Sequence, residues 1–174
     1  MVIIVSGVAG AGKTTVGQLL ARELGWKFYE GDDFHPAANI DKMRRGVALT
    51  DVDRQPWLTI LRSLIEQCLT SREHAVLACS ALKRSYRDYL RVNDDVKLVF
   101  LRGDFSRVAE QLRQRRGHFF DPTLRESQFA DLEEPPPAEH ALVIELVHSQ
   151  RELVDEIKAL LQLQSAGFGS REDQ

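Results

Sequence analysis

The residues with the clearest chemical potential are Gly7-Val8-Ala9-Gly10-Ala11-Gly12-Lys13-Thr14, which fit G-x-x-x-x-G-K-[ST] at every position. Glycines at this spacing let successive backbone N–H groups turn inward around a polyphosphate, and the helix that follows adds its positive end. A lysine at position 13 reaches the β- and γ-phosphates, and the Thr14 hydroxyl suits Mg²⁺. Gly7, Val8, Ala9, Gly10, Ala11, Gly12, Lys13, Thr14 and Thr15 are therefore candidate contacts for ATP, with Mg²⁺ as its counter-ion. The second candidate cluster is Asp32-Asp33. A carboxylate at Asp32 could orient an acceptor hydroxyl, take its proton and help hold the metal through water. Aspartate is also common in solvated turns and helix caps, and Asp33 is the weaker candidate of the two.

These residues need elements to position them. Val2-Ile3-Ile4-Val5 is a β-branched run without alternation, as in a strand covered on both faces. A helix over 13–24, closed by Gly25, follows the loop. Strands are predicted at 27–29, 75–79, 96–101 and 142–147. Helices are predicted at 39–45, from 53 to about 69 with Pro56 in the first turn, and at 81–91, 105–115, 124–132 and 152–163. Strands alternating with helices imply a parallel sheet with right-handed crossovers. Asp32 then lies beyond the carboxyl end of the second strand, where open α/β sheets bind ligands.

The loop alone does not name a reaction, since switches, motors and kinases all use it. The D-x-x-G and [NT]-K-x-D motifs of GTPases occur nowhere in the chain. The third strand ends in Cys79-Ser80, not in the acidic residues usual for motor ATPases. A small-molecule kinase is the favoured class, with a nucleotide-dependent switch or binding module as the rival.

Longer stretches sharpen this. Gly31-Asp32-Asp33-Phe34-His35-Pro36, Asn39-Ile40-Asp41-Lys42-Met43 and Leu49-Thr50-Asp51-Val52-Asp53-Arg54-Gln55-Pro56-Trp57-Leu58 resemble the gluconate kinase family. So do Cys79-Ser80-Ala81-Leu82-Lys83-Arg84-Ser85-Tyr86-Arg87-Asp88, Gly117-His118-Phe119-Phe120, Ser127-Gln128-Phe129 and Leu132-Glu133. The resemblance implies transfer from ATP to D-gluconate, giving 6-phosphogluconate. It also implies a fold like that of the nucleoside monophosphate kinases, with strand order 2-3-1-4-5, and a homodimer. Shikimate or a nucleoside monophosphate is the alternative acceptor on such a fold.

Gluconate carries one carboxylate and a row of hydroxyls, so its pocket needs fixed cations and hydrogen-bonding groups. Arg54, before a Pro-Trp helix start, offers a fork that matches a carboxylate. Lys83 and Arg87, four apart on one predicted helix beginning beside Ser80, are expected to share a face toward the anion. His35 could donate to a sugar hydroxyl, whereas Trp57 is read as packing. Arg113, Arg115 and Arg116 precede Gly117, in a segment (about 115–135) expected to form a lid. The family usually has Arg-x-x-x-Arg there. Here the first position is Gln111, which leaves Arg115 as the candidate for neutralising the transferring phosphoryl group.

The chain has 174 residues with net charge −3, which suits one domain and argues against a nucleic-acid binder. Residues 1–164 are read as that domain, and 165–174 as a flexible tail. No apolar run is long enough to span a bilayer, and no secretory leader is evident, so a cytoplasmic protein is expected. Cys68 and Cys79 sit among aliphatic residues and are expected to be buried and reduced.

Overall fold

A computed structural model describes residues 1–103 and 122–165. Five strands, β1 (Val2–Ser6), β2 (Lys27–Glu30), β3 (Ala75–Ala78), β4 (Val96–Arg102) and β5 (Leu142–Glu145), form one parallel sheet in the order β2-β3-β1-β4-β5. The described helices are α1 (Lys13–Leu24), α2 (Ala37–Arg44), α3 (Asp51–Thr70), α4 (Arg84–Leu90), α5 (Pro122–Asp131) and α6 (Gln150–Leu160). This is the expected α/β kinase fold, with the strand order that the family resemblance implied.

The unalternating apolar run of β1 has a plain cause. Ile3 and Val5 face a core with Val16 and Leu20 of α1 and Leu153, Val154 and Ile157 of α6. Val2 and Ile4 face the opposite core, with Trp57, Leu61 and Ile65 of α3 and Leu90 of α4. Every residue of β1 is buried on one side or the other, so each must be apolar or hydrogen-bonded. Cys68 and Cys79 are buried free thiols, and burial pushes the Cys79 thiol up to about 12.

Most helix boundaries differ from expectation by a residue or more, and two of the differences matter. Helix α3 starts at Asp51 because Thr50 and Asp53 form a reciprocal cap. Pro56 is therefore the sixth residue of that helix, beyond its first turn. Helix α4 starts at Arg84, three residues later than the pattern suggests. Ala81 has φ 41°, a left-handed conformation that breaks any helix there, and Lys83 is the extended residue before the first turn. Helix α6 runs from Gln150 after a Ser149–Glu152 cap. The expected helix at 105–115, with Arg113, Arg115, Arg116 and Gln111, lies outside the described residues, as does most of the expected tail.

Candidate active site

The carboxyl ends of β1, β2 and β3 deliver three loops to one edge of the sheet. The loop after β1 closes as α1 begins at Lys13, with Gly12 left-handed at φ 87°. Gly7 has no alternative here, because a Cβ would lie 2.8 Å from the Leu101 carbonyl oxygen and its φ is 137°. Its N–H donates to the Ser80 carbonyl at 3.2 Å, which joins the glycine loop to the end of β3. Lys13 Nζ lies back over the loop and donates to the Val8 carbonyl at 3.1 Å.

The Thr14 hydroxyl donates to Glu30 Oε2 at 2.6 Å. Glu30 ends β2 and is half-buried, and burial raises its carboxyl above the ordinary glutamate value. Sequence reasoning passed over this residue and expected Asp32 beside Thr14 at the metal. The carboxylate on the Thr14 hydroxyl is Glu30's. Its signal was present: an acidic residue at the carboxyl end of a strand, two before Asp32. A hydroxyl and a carboxylate at this spacing are hard oxygen donors, the type that Mg²⁺ selects.

Asp32 sits in a 3₁₀ turn over Gly31–Phe34, its side chain 74% exposed toward the cleft. The turn is fixed from below. A Cβ on Gly31 would stand 2.6 Å from the Ala78 carbonyl oxygen, so only glycine lets β2 end this close to β3. Trp57 Nε1 donates to the Gly31 carbonyl at 2.7 Å, and its ring stacks on His35 at 4.4 Å between centroids. Trp57 is thus the buried packing residue expected, and it also locks the Asp32 turn. His35 Nε2 lies 3.9 Å from Asp32, while its buried Nδ1 has no hydrogen-bond partner. Burial lowers the affinity of this imidazole for a proton, so it is neutral at pH 7.

One cleft is lined by Ala9, Lys13, Asp32, His35, Arg54, Trp57, Ser80, Tyr86, Ser127 and Gln128, among others. It brings together the phosphate loop, the candidate base and the candidate acceptor arginine. Asp33 is absent from its lining. Arg54, from the first turn of α3, is 13% exposed at the side chain and pairs with Asp131 at 2.9 Å. It also donates to the Tyr86 hydroxyl at 3.3 Å and lies 3.8 Å from Asp51. Lys83 reaches Asp51 at 2.7 Å and Asp131 at 3.7 Å, and Tyr86 donates to Asp51 as well. Gln128 of α5 accepts the Ala9 N–H at 2.7 Å. Tyr86, Asp51, Asp131 and Gln128 were given no part in the site by the sequence reading, although three of them stand in the stretches that carry the resemblance, because only the fold brings them to Arg54 and the loop.

Arg87 is a correction. It was expected to share a helix face with Lys83 and meet the substrate anion, but α4 begins after Lys83 and turns Arg87 into the protein. The Arg87 guanidinium forms a fork to Glu139, at 2.8 and 2.9 Å, and donates to the Leu82 and Ala81 carbonyls at 2.7 and 3.3 Å. Both partners are buried. Arg87 therefore staples the loop carrying Ser80 and Lys83 to the turn before β5.

A glycine loop at a helix start, a hydroxyl–carboxylate pair beside it and an open cleft holding a carboxylate and an arginine define a P-loop phosphotransferase. The family model for shikimate kinase matches residues 9–162. A gluconokinase of Gluconobacter oxydans is 48% identical over 76% of this chain and 75% of its own. A probable gluconokinase of Xenopus tropicalis is 40% identical over 91% and 92%. The crystal structure of a gluconokinase from Sinorhizobium meliloti superimposes with a TM-score of 0.82 at 43% identity, covering 92% of this chain and 90% of that one. The chain belongs to the shikimate-kinase-type P-loop kinases and, among them, to the gluconokinases.

Proposed function

We propose that the protein transfers the γ-phosphoryl group of ATP to the primary hydroxyl of D-gluconate, giving 6-phosphogluconate and ADP. The observation that carries this is the cleft itself, whose lining brings Lys13 and Ala9 of the phosphate loop together with Asp32 and Arg54. A sugar acid has its carboxylate and its primary hydroxyl at opposite ends, which suits a site that offers both a phosphate loop and a separate arginine.

The chemistry follows from those groups. The loop amides and Lys13 bind the phosphates and offset the charge that spreads over the transferring group. Thr14 and Glu30 are the protein groups that would hold Mg²⁺. When bound, that ion supplies charge neutralisation and links the nucleotide to the protein. Asp32 accepts the proton from the acceptor hydroxyl as its oxygen bonds to phosphorus and the bond to the ADP oxygen breaks. Arg54, helped by Lys83, binds the acceptor carboxylate, and His35, whose Nε2 lies 3.9 Å from Asp32, is the candidate partner of a sugar hydroxyl. Ser80 contributes a hydroxyl at the cleft wall, and Arg115 remains the candidate for the phosphoryl group from the lid at about 115–135. We assign the active form as a homodimer in the cytoplasm, as the gluconokinase resemblance implies. Among the described residues no helix is long and apolar enough to cross a membrane.

Shikimate is the second reading, because its family model matches and shikimate also joins a carboxylate to hydroxyls. The high identity to gluconokinases favours gluconate. Coupled ADP release measured with gluconate, shikimate and nucleoside monophosphates separates them. Gluconate should dominate kcat/KM, and a preference for either other acceptor would overturn the assignment.

A further inference from the structure

The ion-pair cluster around Arg54 is electrically balanced before any acceptor arrives. Arg54 and Lys83 provide two positive charges, and Asp51 and Asp131 provide two negative ones within 4 Å. An acceptor carboxylate that takes the Arg54 fork must therefore compete with a carboxylate already there.

The two aspartates differ in how firmly they are held. Asp51 lies in the first turn of α3, where the helix dipole favours an anion, and it accepts from both Lys83 and Tyr86. Asp131 is the last residue of α5, where the dipole disfavours an anion. Its pairing with Arg54 at 2.9 Å is its close contact, Lys83 standing farther off at 3.7 Å. Asp131 is thus the carboxylate that yields. Three residues before it on the same helix face, Gln128 places an amide oxygen on the Ala9 N–H. The helix thereby sets one oxygen on the phosphate loop, at Ala9, and another on Arg54.

We propose that Asp131 is a specificity-determining residue: its carboxylate stands on Arg54 in place of the acceptor's, so that productive binding requires an anion able to displace it. A neutral polyol cannot replace a carboxylate on a guanidinium without leaving the charge unpaired. The arrangement weakens acceptor affinity and in return excludes uncharged sugars, which is selection by a built-in competitor. The inference rests on gluconate being the acceptor.

The test is Asp131→Asn in the full chain. The amide keeps the size but gives up the charge. The KM for gluconate should fall about three- to fivefold, the upper range for a partly exposed ion pair. Inhibition by acetate, which offers a carboxylate without hydroxyls, should strengthen by a similar factor. The KM for ATP should stay unchanged, and Asp131→Glu should return all values toward the parent. An unchanged or raised gluconate KM in a variant of parental melting temperature would overturn the proposal, since Asp131 would then be neutral to the acceptor or bind its hydroxyls. An equal change in the ATP constant would also overturn it. If Asp131→Asn does not fold, Asp131→Ser is read on the same quantities, and failure of both makes Asp131 a stability contact. A parent that fails to phosphorylate gluconate refutes the proposed function and is recognised before any variant is compared.

Discussion

Replacing Arg87 with methionine separates a structural arginine from a substrate-binding one. The Arg87 side chain is 1% exposed and that of Glu139 2%, and the two are joined by a fork of 2.8 and 2.9 Å. Methionine fills much of the volume but leaves Glu139 buried without its guanidinium fork and the Ala81 carbonyl without its donor, while the Leu82 carbonyl keeps the Glu133 N–H. Removing one member of a buried pair costs about 3–5 kcal/mol. In a chain of this size each kcal/mol moves the melting temperature by about 2–4 °C, so a drop of about 6–20 °C is expected. The double change Arg87→Met with Glu139→Leu should recover most of that loss, because no buried charge is then orphaned. The sign of the pH dependence follows from Glu139, whose carboxyl the Arg87 guanidinium holds below its ordinary value of 4.5. A depressed carboxyl stabilises the fold above that ordinary value, and the contribution is lost as pH falls through the depressed one. The gap in melting temperature between parent and variant should therefore be full at pH 7 and narrow below about pH 4.5. Melting followed by circular dichroism, alongside the gluconate KM of the folded fraction, decides the matter. A variant that melts within about 2 °C of the parent while its gluconate KM rises strongly would show that Arg87 does meet the substrate.

Three further outcomes are expected. Arg54→Ala should raise the KM for gluconate about 10- to 150-fold, the worth of a hydrogen bond to a charged group, and leave the ATP constant nearly unchanged. Steady-state kinetics with each substrate varied checks this, and equal damage to both constants would make Arg54 structural. Asp32→Asn should lower kcat by about 10²–10⁴, with the smaller loss favoured because phosphoryl transfer is largely dissociative. Asp33→Asn is its control and should be mild; if it proved the more damaging change, the proton acceptor would be misassigned. Glu30→Gln should raise the Mg²⁺ concentration needed for half-maximal rate while leaving the gluconate KM alone, read from magnesium titrations at fixed ATP.

Much of this was legible in the chain, and the exceptions have physical reasons. The glycine loop announces itself because its chemistry is local: backbone amides, a lysine and a hydroxyl within eight consecutive residues. The alternation of elements was equally plain, although the order of strands came from resemblance and not from periodicity. Arg87 was misread because the i, i+4 rule assumes an unbroken helix, and Ala81 at φ 41° ends it without any glycine or proline as a warning. Glu30 was passed over because its role depends on α1 lying across the sheet, which brings Thr14 over the end of β2. Asp131 and Gln128 depend on contacts across 77 and 119 residues of chain, from Asp131 to Arg54 and from Gln128 to Ala9, which no local pattern encodes.

The most direct measurement is the ³¹P spectrum of the product formed from ATP, Mg²⁺ and D-gluconate by the purified protein. Transfer to the primary hydroxyl should give ADP and one new phosphomonoester signal split by the two protons of a CH₂ group. ADP with inorganic phosphate alone, or a phosphomonoester coupled to a single proton, would contradict transfer to the primary hydroxyl of gluconate.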